Sequence, residues 1–545
     1  MTERALQFNL GDLFECVADA VPEREAVIDG DRRLTYAQLD DRATRLANYL
    51  LSIGIGQGDH IGLYLHNCVE YLEGTLAAFK IRAVPININY RYVEEELLYL
   101  FDNADLAAVI HHREFAPRIA AVAPKIPSLR AFVAVEDGSG AELAALGSAE
   151  YASALANASP ERDFPPRAGD DVYILYTGGT TGLPKGVMWR HEDLFFAALM
   201  GGNPYGAPPE RPEQVGENAK NSPGLAALPA APLMHGAAQW AALIYLFSGG
   251  KLVLSPGKRF DPDGIWRLVE RERVASMAIV GDAMARPLAE ALEKPGAAYD
   301  TSSLFVIGSG GATYSEGVKA QLRAKLPKVM MLDSFGGSEG GNQGQSAPGE
   351  PGKLGPRFKA DETTAVLDED LRPLPPGTGV AGMLARKGRI PLGYYKDPEK
   401  TARTFIEAHG ERWVVAGDMA LVEADGSITL LGRGTNCVNT GGEKVFPEEV
   451  EAALRTHPAV FDAIVVGVPD PRWGERVAAV VQPRAGQPPT LEELDAHARA
   501  KIAGYKVPRE LHLVDEIQRQ PSGKPDYKWA KAVAMGETAA VGETR

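Results

Sequence analysis

Cysteine is scarce in this chain of 545 residues: Cys16, Cys68 and Cys437 are far apart in the sequence. An odd, dispersed set of thiols excludes a disulfide framework and argues against a zinc site built from cysteine. The N-terminal stretch MTERALQFNL also lacks the apolar run of a secretory signal. We therefore expect a cytoplasmic protein in a reducing compartment.

Long apolar runs and an excess of positive charge are missing as well. The most apolar stretch, residues 228–247, approaches the length of a membrane span, but two prolines, a histidine and a glutamine interrupt it. Basic residues number 57 and acidic residues 72, so the formal net charge is −15. This balance disfavours nucleic acid and anionic lipid as main partners, and no integral membrane segment is predicted. An anionic substrate would need a local positive site.

The length and the pattern of the chain indicate a multidomain α/β protein. A chain of this size exceeds what one hydrophobic core usually serves. From about residue 250, short β-rich runs alternate with amphipathic helical ones, which indicates a mainly parallel sheet covered by helices. Two predicted strands, ending near Ile307 and Leu332, run into the glycine-rich segments SGGA and SFGGSEGG. Ligands bind beyond the carboxyl ends of such strands, so both segments are predicted to line a site.

The composition changes twice toward the C-terminus. PLPPGTG at 373–379 predicts a turn-rich region with β-structure that continues to about Leu431. Beyond Gly432 the pattern becomes that of an α+β unit, and the last ten residues are small and polar. We predict a large N-terminal domain at 1–432, a hinge at 433–436, a small C-terminal domain at 437–535 and a tail at 536–545.

The stretch YTGGTTGLPKG, residues 176–186, has the composition of a phosphate loop without the Walker geometry. Pro184 precedes Lys185 and Gly186 follows it, whereas the Walker pattern needs glycine before the lysine and a hydroxyl residue after it. Glycines let backbone N–H groups approach phosphate oxygens, threonines add hydroxyl donors and the lysine adds positive charge. The predicted phosphate contacts come from Thr177, Gly178, Gly179, Thr180, Thr181, Gly182 and Lys185.

Nearly the whole chain resembles the superfamily of adenylate-forming enzymes, in its acyl-CoA synthetase branch of fatty-acid and steroid-carboxylate CoA ligases. The phosphate loop is similar to the family signature YTSGTTGxPKG, with Gly178 at the usual serine. Further motifs follow in family order: LTYAQLDDRATRLANYL (34–50), RAVPININY (82–90), APLMH (231–235), SGGA (309–312), DSFGGSE (333–339), WVVAGD (413–418), GRGTNCVNTGGEKVFPEEVE (432–451) and QPSGK (520–524). The resemblance implies an α/β fold whose large multi-subdomain N-terminal domain combines parallel α/β sheets with a small β-barrel-like part. A smaller, mobile α+β C-terminal domain is implied to follow it.

The resemblance also implies the reaction and its cofactors. ATP activates a carboxylate as acyl-AMP with release of pyrophosphate, and the acyl group then passes to CoA. The implied catalytic residues are the adenylation lysine Lys524, Glu339 as the Mg²⁺ ligand, and Thr180, which is also assigned to the metal. Asp418 and Arg433 match the ribose-binding pair, for which an ordinary structural salt bridge is the alternative. The other residues assigned to ATP or AMP are Gly310, Gly311, Ala312, Asp333, Ser334, Phe335, Gly336 and Ser338.

The acyl and CoA sites are implied less directly. His235 and Trp240 match the wall of the acyl pocket, although His235 could instead be a satisfied core histidine. Gly336 and Gly337 remove side chains near the expected pocket, which favours a long or bulky acyl group such as a fatty or steroid side-chain acid. The implied CoA contacts are Gly441, Gly442, Glu443 and Trp473, the last of which is equally well a core or interface tryptophan. Thr435 is the hinge position by alignment, where the family usually has aspartate or lysine.

Other functions stay open at this stage. An acyl-AMP ligase that loads a carrier protein resembles this chain but carries an extra segment in the large domain. The 79 positions between Glu339 and Asp418 (418 − 339) leave little room for it. A catalytically silent nucleotide-binding regulator would not need Lys524, and luciferase-like oxidation is a remote option. The expected partners are a carboxylic acid, ATP and CoA, and a homodimer is left open.

Overall fold

The computed structural model describes residues 6–179, 182–204, 206–255, 257–312, 314–346, 357–440, 443–484, 486–520 and 524–537. Within these residues the helices are α1 (Leu10–Ala20), α2 (Tyr36–Ser52), α3 (Val69–Lys80), α4 (Glu94–Asn103), α5 (Ala116–Val122), α6 (Tyr151–Ala156), α7 (His191–Ala197), α8 (Glu213–Asn221), α9 (Gly236–Phe247), α10 (Pro262–Glu272), α11 (Gly281–Glu293), α12 (Glu316–Lys325), α13 (Pro398–Thr404), α14 (Pro447–Arg455), α15 (Leu491–Arg499) and α16 (Tyr527–Ala534). Short 3₁₀ turns lie at Arg113–Phe115, Ala123–Lys125, Met200–Gly202 and Gly434–Asn436.

The strands belong to four sheets. They are β1 (Glu25–Asp29), β2 (Arg32–Thr35), β3 (His60–Tyr64), β4 (Val84–Asn87), β5 (Leu106–His112), β6 (Ala131–Val135), β7 (Ala149–Glu150), β8 (Val172–Gly179), β9 (Gly182–Arg190), β10 (Ala226–Pro229), β11 (Lys251–Leu254), β12 (Ser276–Ile279), β13 (Val306–Gly310), β14 (Met330–Gly337), β15 (Gly341–Gln345), β16 (Arg357–Lys359), β17 (Thr364–Leu367), β18 (Gly382–Lys387), β19 (Gly393–Tyr394), β20 (Phe405–Ala408), β21 (Glu411–Val414), β22 (Asp418–Val422), β23 (Ser427–Arg433), β24 (Val438–Thr440), β25 (Glu443–Val445), β26 (Val460–Asp470), β27 (Gly474–Pro483) and β28 (Glu510–Leu513).

The first two sheets are mainly parallel and share one core. One runs in the order β15-β14-β13-β12-β10-β11-β1-β2 and the other in the order β19-β9-β8-β4-β3-β5-β6-β7. Side chains of α1, α2, α3 and α9 join both sheets in a single buried cluster that includes Phe14, Tyr36, Phe79 and Phe247. The parallel strands of the first sheet confirm the sheet expected from the βαβ pattern. The joining of β1 to β11 brings in an N-terminal strand that this pattern did not predict.

The third sheet is antiparallel, and the fourth forms the smaller C-terminal unit. The third runs β16-β23-β22-β18-β21-β20 with β17 beside β18, and the fourth runs β25-β24-β27-β26 with β28 beside β27. Side chains alternate between the two faces of a strand. Accordingly, Val465 packs with α14 and α15, whereas Ile464 packs with α16. The α/β fold with parallel sheets and a smaller C-terminal domain is therefore confirmed, while the exact division at 432 and 433 stays a prediction.

The apolar stretch at 228–247 divides between the end of β10 and helix α9, with a turn between them. In the part of the chain that the structure describes, no helix has both the length and the apolarity needed to cross a membrane.

Candidate active site

The predicted phosphate loop forms the end of an antiparallel hairpin, β8–β9. Thr177 lies opposite Lys185 and Gly179 opposite Gly182, while Thr180 and Thr181 lie outside the described residues. Gly178 is exposed, and a Cβ built on it would meet nothing within 4 Å. The hairpin therefore presents a threonine and a lysine side by side.

Asn87 fixes this hairpin to the predicted acyl-pocket segment. Its amide nitrogen donates to the carbonyls of Tyr176 at 2.8 Å and Met234 at 2.7 Å, and its amide oxygen accepts from the Tyr176 N–H at 2.8 Å. A buried amide that satisfies its hydrogen bonds in this way defines the position of both backbones. The motif RAVPININY therefore joins the phosphate hairpin to the segment APLMH.

Glu339 lies in the turn of a second hairpin, β14–β15. Gly337 pairs with Gly341, and a Cβ on Gly336 would clash with the Gly341 carbonyl, so glycine is required for this close approach. The Tyr394 hydroxyl donates to Glu339 Oε1 at 2.9 Å. The predicted metal ligand is thus held from outside its own loop. The close approach of the two hairpin strands explains the glycine at position 336 without reference to the acyl pocket.

Two side chains from other sheets grip the backbone on either side of Glu339. Trp189 Nε1 donates to the Ser338 carbonyl at 2.9 Å. The buried Arg386 donates through Nη1 to the carbonyls of Gly340 and Asn342, both at 2.6 Å. Such outer contacts orient a ligand that would otherwise sit on a free turn.

Lys185 belongs to a cluster of charges around Tyr394. Its Nζ lies 4.9 Å from the centre of the Tyr394 ring, and Lys400 Nζ lies 5.9 Å from the same centre. Burial lowers the pKa of Lys185 to about 8, helped by the positive charges of Lys400 and Arg433 and opposed by Glu339. Two lysines beside one another are costly without an anion, so this arrangement favours binding of phosphate oxygens.

The two predicted nucleotide segments lie on neighbouring parallel strands. Ser309 pairs with Asp333 and Gly310 with Ser334, so SGGA and DSFGGSE leave the sheet at the same edge. Gly311 has a φ of +81°, in the region that favours glycine, and Ala312 follows it. Asp333 also contacts Lys319 at 2.6 Å and Ser346 at 3.0 Å, and the Phe335 ring stacks on the Phe358 ring with centres 5.0 Å apart.

Asp418 and Arg433 face each other on neighbouring strands of the third sheet. They are partners in the β22–β23 register, and Arg433 Nε lies 3.3 Å from Asp418 Oδ1. Burial raises the pKa of Asp418, and Glu339 adds to this effect, while Arg433 and Lys524 oppose it. The predicted ribose pair therefore lies within electrostatic range of both the predicted metal ligand and the predicted adenylation lysine.

Lys524 reaches this site from the C-terminal unit. The Gln520 N–H donates to its carbonyl at 2.9 Å, and Arg519 forms an isolated β-bridge with Pro525, so the described residues before and after 521–523 lie beside each other. Burial lowers the pKa of Lys524, as does Arg433, while Glu339 and Asp418 raise it. The structure thus brings together four of the residues predicted from separate motifs.

His235 and Trp240 lie at the start and inside of α9. His235 is the N-cap residue of the helix, and its Nε2 is buried with no hydrogen-bond partner among the described residues. Burial lowers the pKa of His235 to about 4, and the charges of Arg91 and Lys524 contribute, so the imidazole is neutral near pH 7. Trp240 is buried and meets Trp189 edge to face, with ring centres 6.4 Å apart. A neutral histidine and an indole suit the wall of an acyl pocket.

The predicted CoA and hinge residues stay predictions. Gly441 and Gly442 lie outside the described residues, and Glu443 is exposed on β25. Trp473 is 47% exposed, with the Arg472 guanidinium 4.5 Å from its ring centre, so it is not a core tryptophan in this structure. Thr435 lies in the 3₁₀ turn between β23 and β24.

Sequence reasoning missed Tyr394, Lys400, Trp189 and Arg386. The run GYYKDPEK, with aromatic and basic residues together, is the sequence signal for the first two. Trp189 and Arg386 act on backbone carbonyls, which no side-chain pattern marks.

Comparisons with known proteins find similar proteins over nearly the whole chain. Residues 14–395 match the model of the AMP-binding enzyme family, and residues 449–524 match that of the AMP-binding enzyme C-terminal domain. A 3-oxocholest-4-en-26-oate–CoA ligase of Rhodococcus rhodochrous is 51% identical over 535 residues, covering 96% of each chain. A medium/long-chain-fatty-acid–CoA/3-oxocholest-4-en-26-oate–CoA ligase of Mycolicibacterium smegmatis is 50% identical over 535 residues, covering 97% of each.

A solved structure gives the same result for the fold. The ATP-bound MatB of Rhodopseudomonas palustris has a TM-score of 0.80 and 26% identity, covering 98% of this chain and 99% of that one. Both family models match this chain, and the two relatives are about half identical to it over nearly their full length. This chain belongs to the AMP-binding enzyme family.

Proposed function

We propose that the protein is an ATP-dependent acyl-CoA ligase that activates a long-chain fatty or steroid side-chain carboxylate. The observation that carries this proposal is the position of Lys524. It comes from the C-terminal unit and lies within electrostatic range of Glu339 and Asp418 in the large unit and of Arg433 at the end of β23. A lysine brought to a nucleotide site by a separate unit fits an enzyme that performs adenylation, and a silent nucleotide sensor has no need of it.

The first half-reaction joins two anions, a carboxylate and the α-phosphate of ATP. Lys185 and Lys524 offer positive charge to the phosphoryl oxygens, and Asp418 accepts hydrogen bonds from the ribose hydroxyls. Each unit-charge pair at 4 Å and an effective dielectric constant of 20 is worth about 4 kcal/mol. The attacking carboxylate is already ionised near pH 7, so the neutral His235 has no proton to remove and shapes the pocket instead.

Glu339 fits Mg²⁺ because it offers a hard carboxylate oxygen beside the lysine-lined phosphate hairpin, and one protein carboxylate is often enough for this ion. When bound, the ion would neutralise phosphate charge. Tyr394 and the backbone grip of Trp189 and Arg386 keep the carboxylate in place. Use of Mg²⁺, a cytoplasmic location and a homodimer are parts of this proposal.

The choice of acid rests on the relatives and on the pocket wall. Both relatives described above act on 3-oxocholest-4-en-26-oate by their names, and one also acts on medium- and long-chain fatty acids. Trp240 and the neutral His235 give the wall an apolar character that suits an extended hydrocarbon. Gly441, Gly442, Glu443 and Trp473 are proposed to meet CoA after rotation at Thr435.

The test is ATP–pyrophosphate exchange with fatty acids of increasing length, aryl acids and steroid carboxylates, repeated as thioester formation with CoA. We expect exchange with long-chain or steroid acids and CoA-dependent thioester formation. Lys524→Ala should lower exchange by roughly a thousandfold, from the charge-pair energy above, and should spare thioester formation from a synthetic acyl-adenylate. The exposed Lys528→Ala on α16 is the matched control.

Two results would contradict the proposal. Exchange without any thioester, together with loading of a carrier protein, would indicate an acyl-AMP ligase. Normal exchange by the Lys524→Ala variant would remove the role given to this lysine.

A further inference from the structure

A contact between α11 of the large unit and the first residues of β26 in the C-terminal unit crosses the predicted domain boundary. Arg286 Nη2 donates to the Phe461 carbonyl at 3.1 Å, and the guanidinium carbon lies 4.0 Å from the centre of the Phe461 ring. Arg286 is buried, and this desolvation lowers its pKa. A desolvated cation over an aromatic face is attracted more strongly than an exposed one.

The large-unit side of this contact is anchored. Arg286 lies 3.6 Å from Asp282, one turn earlier on α11. Asp282 in turn accepts from the Ser315 N–H at 2.8 Å and from the Ser315 hydroxyl at 2.6 Å. The guanidinium is therefore attached to a helix that is itself fixed to the start of α12.

On the other side, a short series of contacts leads from Phe461 to Lys524. The neighbouring Asp462 accepts from Arg455 Nε at 2.9 Å and from Arg519 Nη2 at 2.6 Å. Arg519 forms an isolated β-bridge with Pro525, the residue directly after Lys524. The strand that Arg286 holds is thus linked to the residues beside Lys524 by the ion pair of Asp462 with Arg519.

We propose that Arg286 is a positioning residue for the first half-reaction. It latches the C-terminal unit, through Phe461, in the orientation that presents Lys524 to the nucleotide site. This inference rests on the proposed function, because only an enzyme that also needs another orientation for a second step gains from a small, breakable latch. The contact is a single buried side chain, which suits an interface that must open in every cycle.

The test compares Arg286→Met and Phe461→Leu with the wild-type protein in the two half-reactions. We expect ATP–pyrophosphate exchange to fall about tenfold in each, which corresponds to 1.4 kcal/mol. Thioester formation from a synthetic acyl-adenylate and CoA should be unchanged or faster. The double variant should lose no more than Arg286→Met alone, because Phe461→Leu removes only the ring part of a contact that Arg286→Met removes entirely. Arg273→Met, which breaks an exposed pair with Asp300, is the control.

A second measurement does not depend on activity. Hydrogen–deuterium exchange at residues 281–293 and 455–463 should be faster in the variants than in the wild type. Residues 491–499 should exchange at the same rate in all of these proteins. Conservative Arg286→Lys and Phe461→Tyr variants serve if a larger change prevents folding, and Phe461→Tyr should behave as wild type.

Equal losses of pyrophosphate exchange and of thioester formation in the variants would overturn the proposed latch. The same holds if neither pyrophosphate exchange nor hydrogen–deuterium exchange changes in the variants. A wild-type protein with no pyrophosphate exchange on any acid would instead refute the proposed function. In that case the hydrogen–deuterium comparison still decides whether Arg286 holds the two units together.

Discussion

Replacing Arg386 by methionine tests whether the grip on the Glu339 turn matters for catalysis. Arg386 is buried, and its Nη1 serves the carbonyls of Gly340 and Asn342 at 2.6 Å each. Methionine fills much of the same volume and offers no donor. The two carbonyls would lose their charged partner. The packing of the sheet around β18 would be preserved, because methionine fills the position with an apolar side chain.

The expected magnitude follows from opposing effects. Hydrogen bonds to a charged group contribute about 1.5–3 kcal/mol each. Removing a buried guanidinium also removes its desolvation cost, for which Asp361 provides some compensating charge. We expect the variant to bind a metal–nucleotide complex about 2 kcal/mol less favourably, which corresponds to an affinity about 30-fold lower.

The assay is the Mg²⁺ concentration for half-maximal ATP–pyrophosphate exchange, with direct Mn²⁺ binding in the presence of ATP as an activity-independent readout. Both should shift by about 30-fold in Arg386→Met, by the estimate above. Arg389→Met is a matched control, because Arg389 is exposed on the same segment and pairs with Glu192 at 2.8 Å. Unshifted metal dependence in a variant of normal thermal stability would refute the reasoning, as would an equal shift in the control.

Three further changes give separate expectations. Burial, with the charges of Glu451 and Asp418, raises the pKa of Glu448 to about 7, so the native state keeps a proton that the unfolded chain releases near pH 4.5. The free energy of unfolding therefore falls as pH rises from about 4.5 to 7. Glu448→Gln should remove this pH dependence of the urea unfolding midpoint. A wild-type midpoint that does not change with pH over this range would contradict the expectation. Gly432 has a φ of +117°, and a Cβ there would clash with the Glu448 carboxylate. Gly432→Ala should therefore weaken docking of α14 and lower pyrophosphate exchange more than thioester formation, and a Glu448→Ala second change should restore part of the loss. Gly178→Ser restores the usual family residue into open space and should leave exchange within about twofold; a larger change would mean that glycine is needed there.

The parts of the site that carry their own local pattern were predictable. Lys185 and Glu339 lie in short, distinctive motifs, and Lys524 closes another. The chain order also predicts that SGGA and DSFGGSE leave neighbouring parallel strands, because βαβ connections place such strands side by side. The β8–β9 pairing of the phosphate loop was not predicted, because its glycines indicate close approach to phosphate oxygens and not strand pairing.

The supporting contacts were beyond sequence reasoning for a physical reason. Trp189 and Arg386 bind carbonyl oxygens, which every residue has, so the partner leaves no trace in residue identity. Tyr394 reaches Glu339 from a different sheet, across 55 positions. The contact of Arg286 with Phe461 spans 175 positions, and pairings of this kind depend on how complete units pack.

The edge-to-face pair of Trp189 and Trp240 has a consequence for engineering. The Trp240 indole is proposed to line the acyl pocket, and the Trp189 indole donates to the carbonyl next to Glu339. In a close-packed interior, a change in the volume of one ring displaces its neighbour. If Trp240 lines the acyl pocket as proposed, we expect substitutions there to lower turnover with every acid and changes at Trp189 to restore it. Substrate range and turnover are expected to be coupled at this position.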